Sequence, residues 1–253
     1  MLCKKSLLRI VLPGLLVIFL GACASGSSDR KSNKEISDLY YQMGVRYLQL
    51  GKVDIALEKL EYSLEKNPDN SAAHDALAAL YDSIGMSGKA AEHYQEALDL
   101  APDNPQAENN YGAFLCKRGD YAQGMAYLKK AIARPLNNRK WFALTNAGRC
   151  EIRQGNIQQA ERYFRSALQL NPDYPAALLE MLKLSYKKGN YGSARGFLQR
   201  YQSVAKDNAE ILWYGWQIER ALGHQSLAES YRRQLLEKFP NSEQAQKVQK
   251  LSR

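Results

Sequence analysis

The sequence predicts an all-α solenoid of stacked helical hairpins, and three observations carry that prediction. Gly recurs at positions 51, 85, 119, 155, 189 and 223, with spacings of 34, 34, 36, 34 and 34 residues. Five places after each Gly stands a small residue: Ala56, Ala90, Gly124, Ala160, Ala194 and Ala228. Pro closes most units, at Pro68, Pro102, Pro172 and Pro240, while the third unit has Pro135 one place early and the fifth has none. A fixed period of this length marks units that bury their apolar faces only by stacking on one another.

The chain opens with a basic patch, Met1 to Arg9, followed by the apolar run Ile10 to Leu20. Eleven apolar residues fall short of the ~20 that span a hydrocarbon core as a helix. A basic flank, a short apolar run and small residues before a cut predict a secretory signal over residues 1–22. The run ends in Leu20-Gly21-Ala22-Cys23, which resembles the bacterial lipobox, with Gly a less usual second residue. The resemblance implies a diacylated Cys23 sulfur, cleavage before it and acylation of the new amine. Several acyl chains anchor a protein stably where one does so only marginally. Residues 23–36 then read as a lipidated flexible tether, because Ala24 to Lys34 is small, polar and without apolar period. In the lipoproteins it resembles, Asp after the lipidated Cys implies retention at the inner membrane. Ala24 therefore implies the outer membrane, with the protein facing the periplasm.

Six units follow, at 37–70, 71–104, 105–140, 141–174, 175–208 and 209–240. They resemble the tetratricopeptide repeat, a helix-turn-helix of this period, and the resemblance implies a right-handed superhelix. The residues fit mechanically. Each Gly ends a first helix, where a left-handed cap costs it little. The small residue lets the second helix cross closely, and a large one four places on fills the space beside it: Leu60, Tyr94, Leu128, Phe164 and Leu198. Arg232 departs from this pattern, as suits a terminal unit. Pro, lacking an amide hydrogen, stops the second helix. The longer spacing inserts two residues around Arg134 to Arg139, so stacking slips or widens between the third and fourth units. Residues 241–253 are polar and read as a solvating, capping helix or a frayed tail.

Charge and chemistry narrow the function. Lys and Arg outnumber Asp and Glu by 35 to 26, a formal +9. Removing the first ten residues leaves about +6, which suits anionic surfaces or acidic partners better than nucleic acid, whose binders carry a denser basic stripe. His74, His93 and His224 occupy different positions in their repeats, and no CxxC, HExxH or Gly-rich phosphate loop appears. The reading is therefore a binding scaffold with no catalytic set, metal, cofactor or small-molecule substrate. Cys116 and Cys150 sit 34 residues apart on the first helices of adjacent units. Two buried apolar thiols are the favoured reading, with a disulfide across the insertion as the alternative.

Solenoids bind partners on the concave face, lined by first helices. The groove positions implied by resemblance begin acidic and apolar, with Asp38, Tyr41, Val45 and Leu48, then Asp75 and Asp82. They turn basic and aromatic towards the end, with Lys117, Phe142, Arg149, Arg153, Lys183, Tyr186, Lys187, Trp213 and Arg220. Asn110 and Asn146 stand where related arrays use Asn to hold a ligand's backbone. The expected anchor is the apolar opening (Tyr41, Val45, Leu48), taken to have no packing duty, and the competing site is the cationic, aromatic stretch at Phe142, Arg149, Lys183, Tyr186 and Trp213, better suited to an acidic or mixed ligand.

A lipobox followed by six repeats and little else is similar to the type IV pilus biogenesis lipoproteins of the PilF/PilW family. That resemblance implies a pilotin, a lipoprotein that binds the pilus secretin subunit and brings it to the outer membrane to multimerise. The alternative is a lipoprotein that recruits cell-wall or outer-membrane assembly enzymes through the same groove. A cytoplasmic RNA-binding array is the third reading, and lipid on Cys23 would exclude it.

Overall fold

In the computed structural model, residues 25–251 are described, and they form thirteen helices with no strand among them. Twelve pair into six hairpins: α1 (Ser25–Gln49) with α2 (Val53–Lys66), α3 (Ser71–Ser83) with α4 (Ser87–Leu100), α5 (Pro105–Arg118) with α6 (Tyr121–Ala133). The second half repeats this with α7 (Lys140–Arg153) and α8 (Ile157–Leu170), α9 (Pro175–Lys187) and α10 (Tyr191–Val204), α11 (Ala209–Ala221) and α12 (Gln225–Lys238). The last helix is α13 (Glu243–Leu251).

Local rules set the boundaries. All six periodic glycines adopt positive φ, between 70° and 97°, and no other described residue type does. This left-handed turn reverses the chain inside each hairpin. Asn70, Asn104 and Asn208 cap first helices by accepting backbone N–H bonds, and Pro105 and Pro175 open two of them.

The core runs the length of the array. Ala56, Ala90, Ala160 and Ala194 are fully buried, and so are Leu60, Leu128, Phe164 and Leu198. The Arg232 anomaly resolves here. Tyr231, one place earlier, lies against Gly215, and Arg232 turns out to pair with Glu229 at 2.8 Å. In the hairpin of α5 and α6 backbone closes on backbone: a Cβ on Gly112 would stand 2.8 Å from the Gly124 carbonyl oxygen. Backbone cannot yield as a side chain does. Gly112→Ala is therefore expected to cost about 1–3 kcal/mol, although Ala is the better helix former. Gly196→Ala, where a Cβ meets nothing within 4 Å, should gain roughly 0.5–1 kcal/mol instead. Chemical denaturation of the two variants checks the opposite signs.

One terminal expectation needs correction. The segment read as a flexible tether is helical from Ser25 onward, because α1 extends backward from the first repeat. Propagating an existing helix costs little compared with nucleating one, and no Pro or Gly lies between Asp29 and Gln42. At the other end α13 is the capping helix and not a frayed tail: its Ala245 and Val248 are buried against Leu212, Trp216 and Leu235. Cys23 lies outside the described residues.

Candidate functional site

In the first half of the array successive first helices pack directly on one another, α1 on α3, α3 on α5 and α5 on α7, more closely than successive second helices do. The first helices therefore line the inner, concave side. Their side chains are tied across the repeat boundaries. Lys117 donates to Asp82 at 2.9 Å, Arg149 to Glu180 at 2.8 Å, and Lys183 pairs with Glu210 at 2.7 Å.

Asn110 and Asn146 join a chain of polar contacts. Asn110 donates to Asp75 Oδ2 at 2.7 Å, accepts from Asn109 at 3.0 Å, and Asn146 donates to Asn109 at 2.9 Å. Asp75 stands at one end of it. Its Oδ1 is sealed from solvent without a partner. Burial pushes its carboxyl up to about 7, against the opposing pull of the Asn110 hydrogen bond. Burial, and then the nearby Asp75, also raise the Tyr41 phenol.

These contacts revise the sequence reading of the groove. Tyr41 and Leu48 pack against the core of the first repeats, and Val45 is half-buried. The apolar opening therefore does have a packing duty, because α1 shares its inner face with α3. The cations Arg149 and Lys183 are spent on neighbouring carboxylates, so they hold repeats together. The aromatics are paired too: Phe142 with Tyr174 at 5.1 Å between centroids, Tyr186 with Tyr214 at 5.3 Å, and Trp213 with Trp216 at 5.2 Å.

Cys116 and Cys150 form a disulfide between α5 and α7, with Cα atoms 5.4 Å apart. The favoured reading of two free thiols is thereby overturned. Cys116 stands three residues before its turn glycine and Cys150 five before its own, and the packing of α5 on α7 brings these non-equivalent positions within bridging distance, which residue spacing alone does not reveal. His74 and His93, which sequence position keeps apart, also meet, with their Nδ1 atoms at 2.9 Å. Burial and the neighbouring His74 lower the His93 pKa.

Sequence reasoning missed one feature altogether. A crevice of about 180 Å³ opens between the N-terminal ends of α5 and α7, under the inserted loop. Phe142 forms part of its wall and Leu136, which is 95% exposed, its rim. The signal available was an apolar residue inside the insertion, between Pro135 and Asn137.

Known proteins agree with this architecture. Tetratricopeptide-repeat family models match residues 41–105, 83–138 and 151–212. The chain is 30% identical over 246 residues to the type IV pilus assembly protein PilF of Pseudomonas aeruginosa, covering 95% of this chain and 98% of that protein. A solved structure of Pseudomonas aeruginosa PilF aligns with a TM-score of 0.70 at 31% identity, over 86% of this chain and 98% of that one. The crystal structure of PilW, described as a widely conserved type IV pilus biogenesis factor, aligns at 0.72 with 34% identity, over 84% and 98%. The Cut9–Hcn1 structure, 18% identical and covering 46% of that chain, aligns at 0.72 and shares the fold alone. The chain belongs to the PilF/PilW family of tetratricopeptide-repeat proteins, whose named members are type IV pilus biogenesis factors.

Proposed function

We infer that this chain is a non-enzymatic scaffold of type IV pilus biogenesis, an outer-membrane lipoprotein that acts as pilotin for the pilus secretin. Cys23 carries the lipid, the periplasm-facing array binds a segment of the secretin subunit, and the pair reaches the outer membrane together, where the secretin multimerises. The observation that carries this reading is the end-to-end correspondence with the type IV pilus assembly protein PilF, 98% of which is covered. The array adds a curved inner face, which suits an extended or helical protein segment.

Cys23→Ser separates anchoring from folding. The core clusters lie within residues 41–248, so the variant should fold and melt as the wild type does. It should leave the membrane fraction, and secretin multimers in the outer membrane should fall with it. A Ser variant that stays membrane-bound and supports full multimer levels overturns the anchor. Normal secretin multimers in a strain lacking the chain, with altered cell-wall growth, would favour recruitment of wall enzymes instead.

A further inference from the structure

The crevice lies between the N-terminal ends of α5 and α7, beside the inserted loop. The disulfide pins the C-terminal halves of the two helices, with Cα atoms 5.4 Å apart. The inserted residues Leu136 to Arg139 line its outer side. That loop is held at both shoulders. Arg134 donates to the buried Glu108 at 2.7 Å and to the Pro102 carbonyl at 3.1 Å. Asn137 donates to the Ala131 carbonyl at 2.8 Å, and its own Oδ1 accepts from the Arg139 backbone at 2.9 Å. Between these ties Leu136 is 95% exposed. A leucine held out by a braced loop, beside an open crevice, gains by being covered.

We propose that this crevice is the anchor site for an extended segment of a protein partner. A large apolar side chain of the partner seats against Phe142 and Ala143, and Leu136 covers it from the rim. An acidic residue beside it in the partner pairs with Arg139 or Lys140. The size fits, since cavities of about 150 Å³ accept a benzene-sized group. The charge fits as well. No carboxylate lines the crevice, and among the described residues Arg139 and Lys140 have no ion pair, in contrast to the groove cations Lys117, Arg149 and Lys183.

The proposal rests on the reading of the array as a protein-binding scaffold, but its test needs no secretin. A random linear peptide library is panned on the full chain, and the selected peptides are measured against the wild type, Leu136→Asp, Phe142→Ala and Arg139→Glu. Sequences pairing a large apolar residue with an adjacent acid should be enriched. Leu136→Asp should weaken them about tenfold or more, with melting unchanged because the side chain touches nothing buried. A photoreactive residue at position 136 should cross-link to the peptide, and one at the exposed Lys129 of α6 should not. The crevice is overturned if no such sequence is enriched, or if selected peptides bind Leu136→Asp as they bind the wild type. Cross-linking from position 136 to a second copy of this chain, or to its own N-terminal segment, overturns it too. Secretin capture, scored separately, decides the pilotin reading whichever way the peptides behave.

Discussion

Reducing the Cys116–Cys150 bridge, or replacing both residues by Ser, is expected to lower stability by about 3–4 kcal/mol, the loop-closure value for a link of this span. The melting temperature should fall by roughly 8–15 °C for a chain of this size. The bridge closes a separation of 34 residues and crosses the one boundary where an insertion interrupts the period. In a repeat array, stability is a sum of unit terms and nearest-neighbour interfaces. Loosening the middle interface should therefore let the two halves melt as separate transitions. Calorimetry with and without reductant, alongside thiol titration, reads this directly. A single transition at an unchanged temperature, with two titratable thiols present, would remove the bridge from the account of stability.

Asp75 is the second place where a large effect is expected, and its sign follows from linkage. Its folded pKa, about 7, lies above the ordinary 3.8. The folded state thus holds its proton where the unfolded state has released it. Its contribution is full below pH ~4, falls as pH rises through the window up to about 7, and is flat above. Asp75→Asn keeps an oxygen to accept from Asn110 and cannot ionise. Burying a carboxyl that has moved from 3.8 to about 7 costs the folded, ionised protein roughly 4 kcal/mol, which the variant recovers, while new amide hydrogens in a sealed position cost back about 1–3 kcal/mol. The variant should therefore melt several degrees above the wild type at pH 8 and no higher at pH 5. Parallel melting curves for the two proteins across that range would show that the wild-type carboxyl is ordinary. The effect belongs to the groove, since Tyr41, Asp75 and Asn110 meet on its inner face.

By itself the sequence determined the period, the six glycine turns, the order of the hairpins and most of the buried residues. These are local requirements repeated at equivalent positions: a positive φ, a small residue at a crossing, a stop after the second helix. Each repeat restates them, so a single unit such as the third, with its early Pro, does not obscure the pattern. The inner face was legible only as a set of positions. Arg149, Lys183 and Asn110 were rightly placed on the first helices, but their availability depended on what stands opposite them one repeat away. Glu180, Glu210 and Asp75 decide that, and no periodicity encodes such pairings. The same holds for the Cys116–Cys150 bond and for Leu136, whose exposure follows from the bracing of a six-residue loop. Tertiary structure decided these because distance across a repeat boundary is set by helix packing, and the insertion changes that packing at the one boundary where the crevice opens.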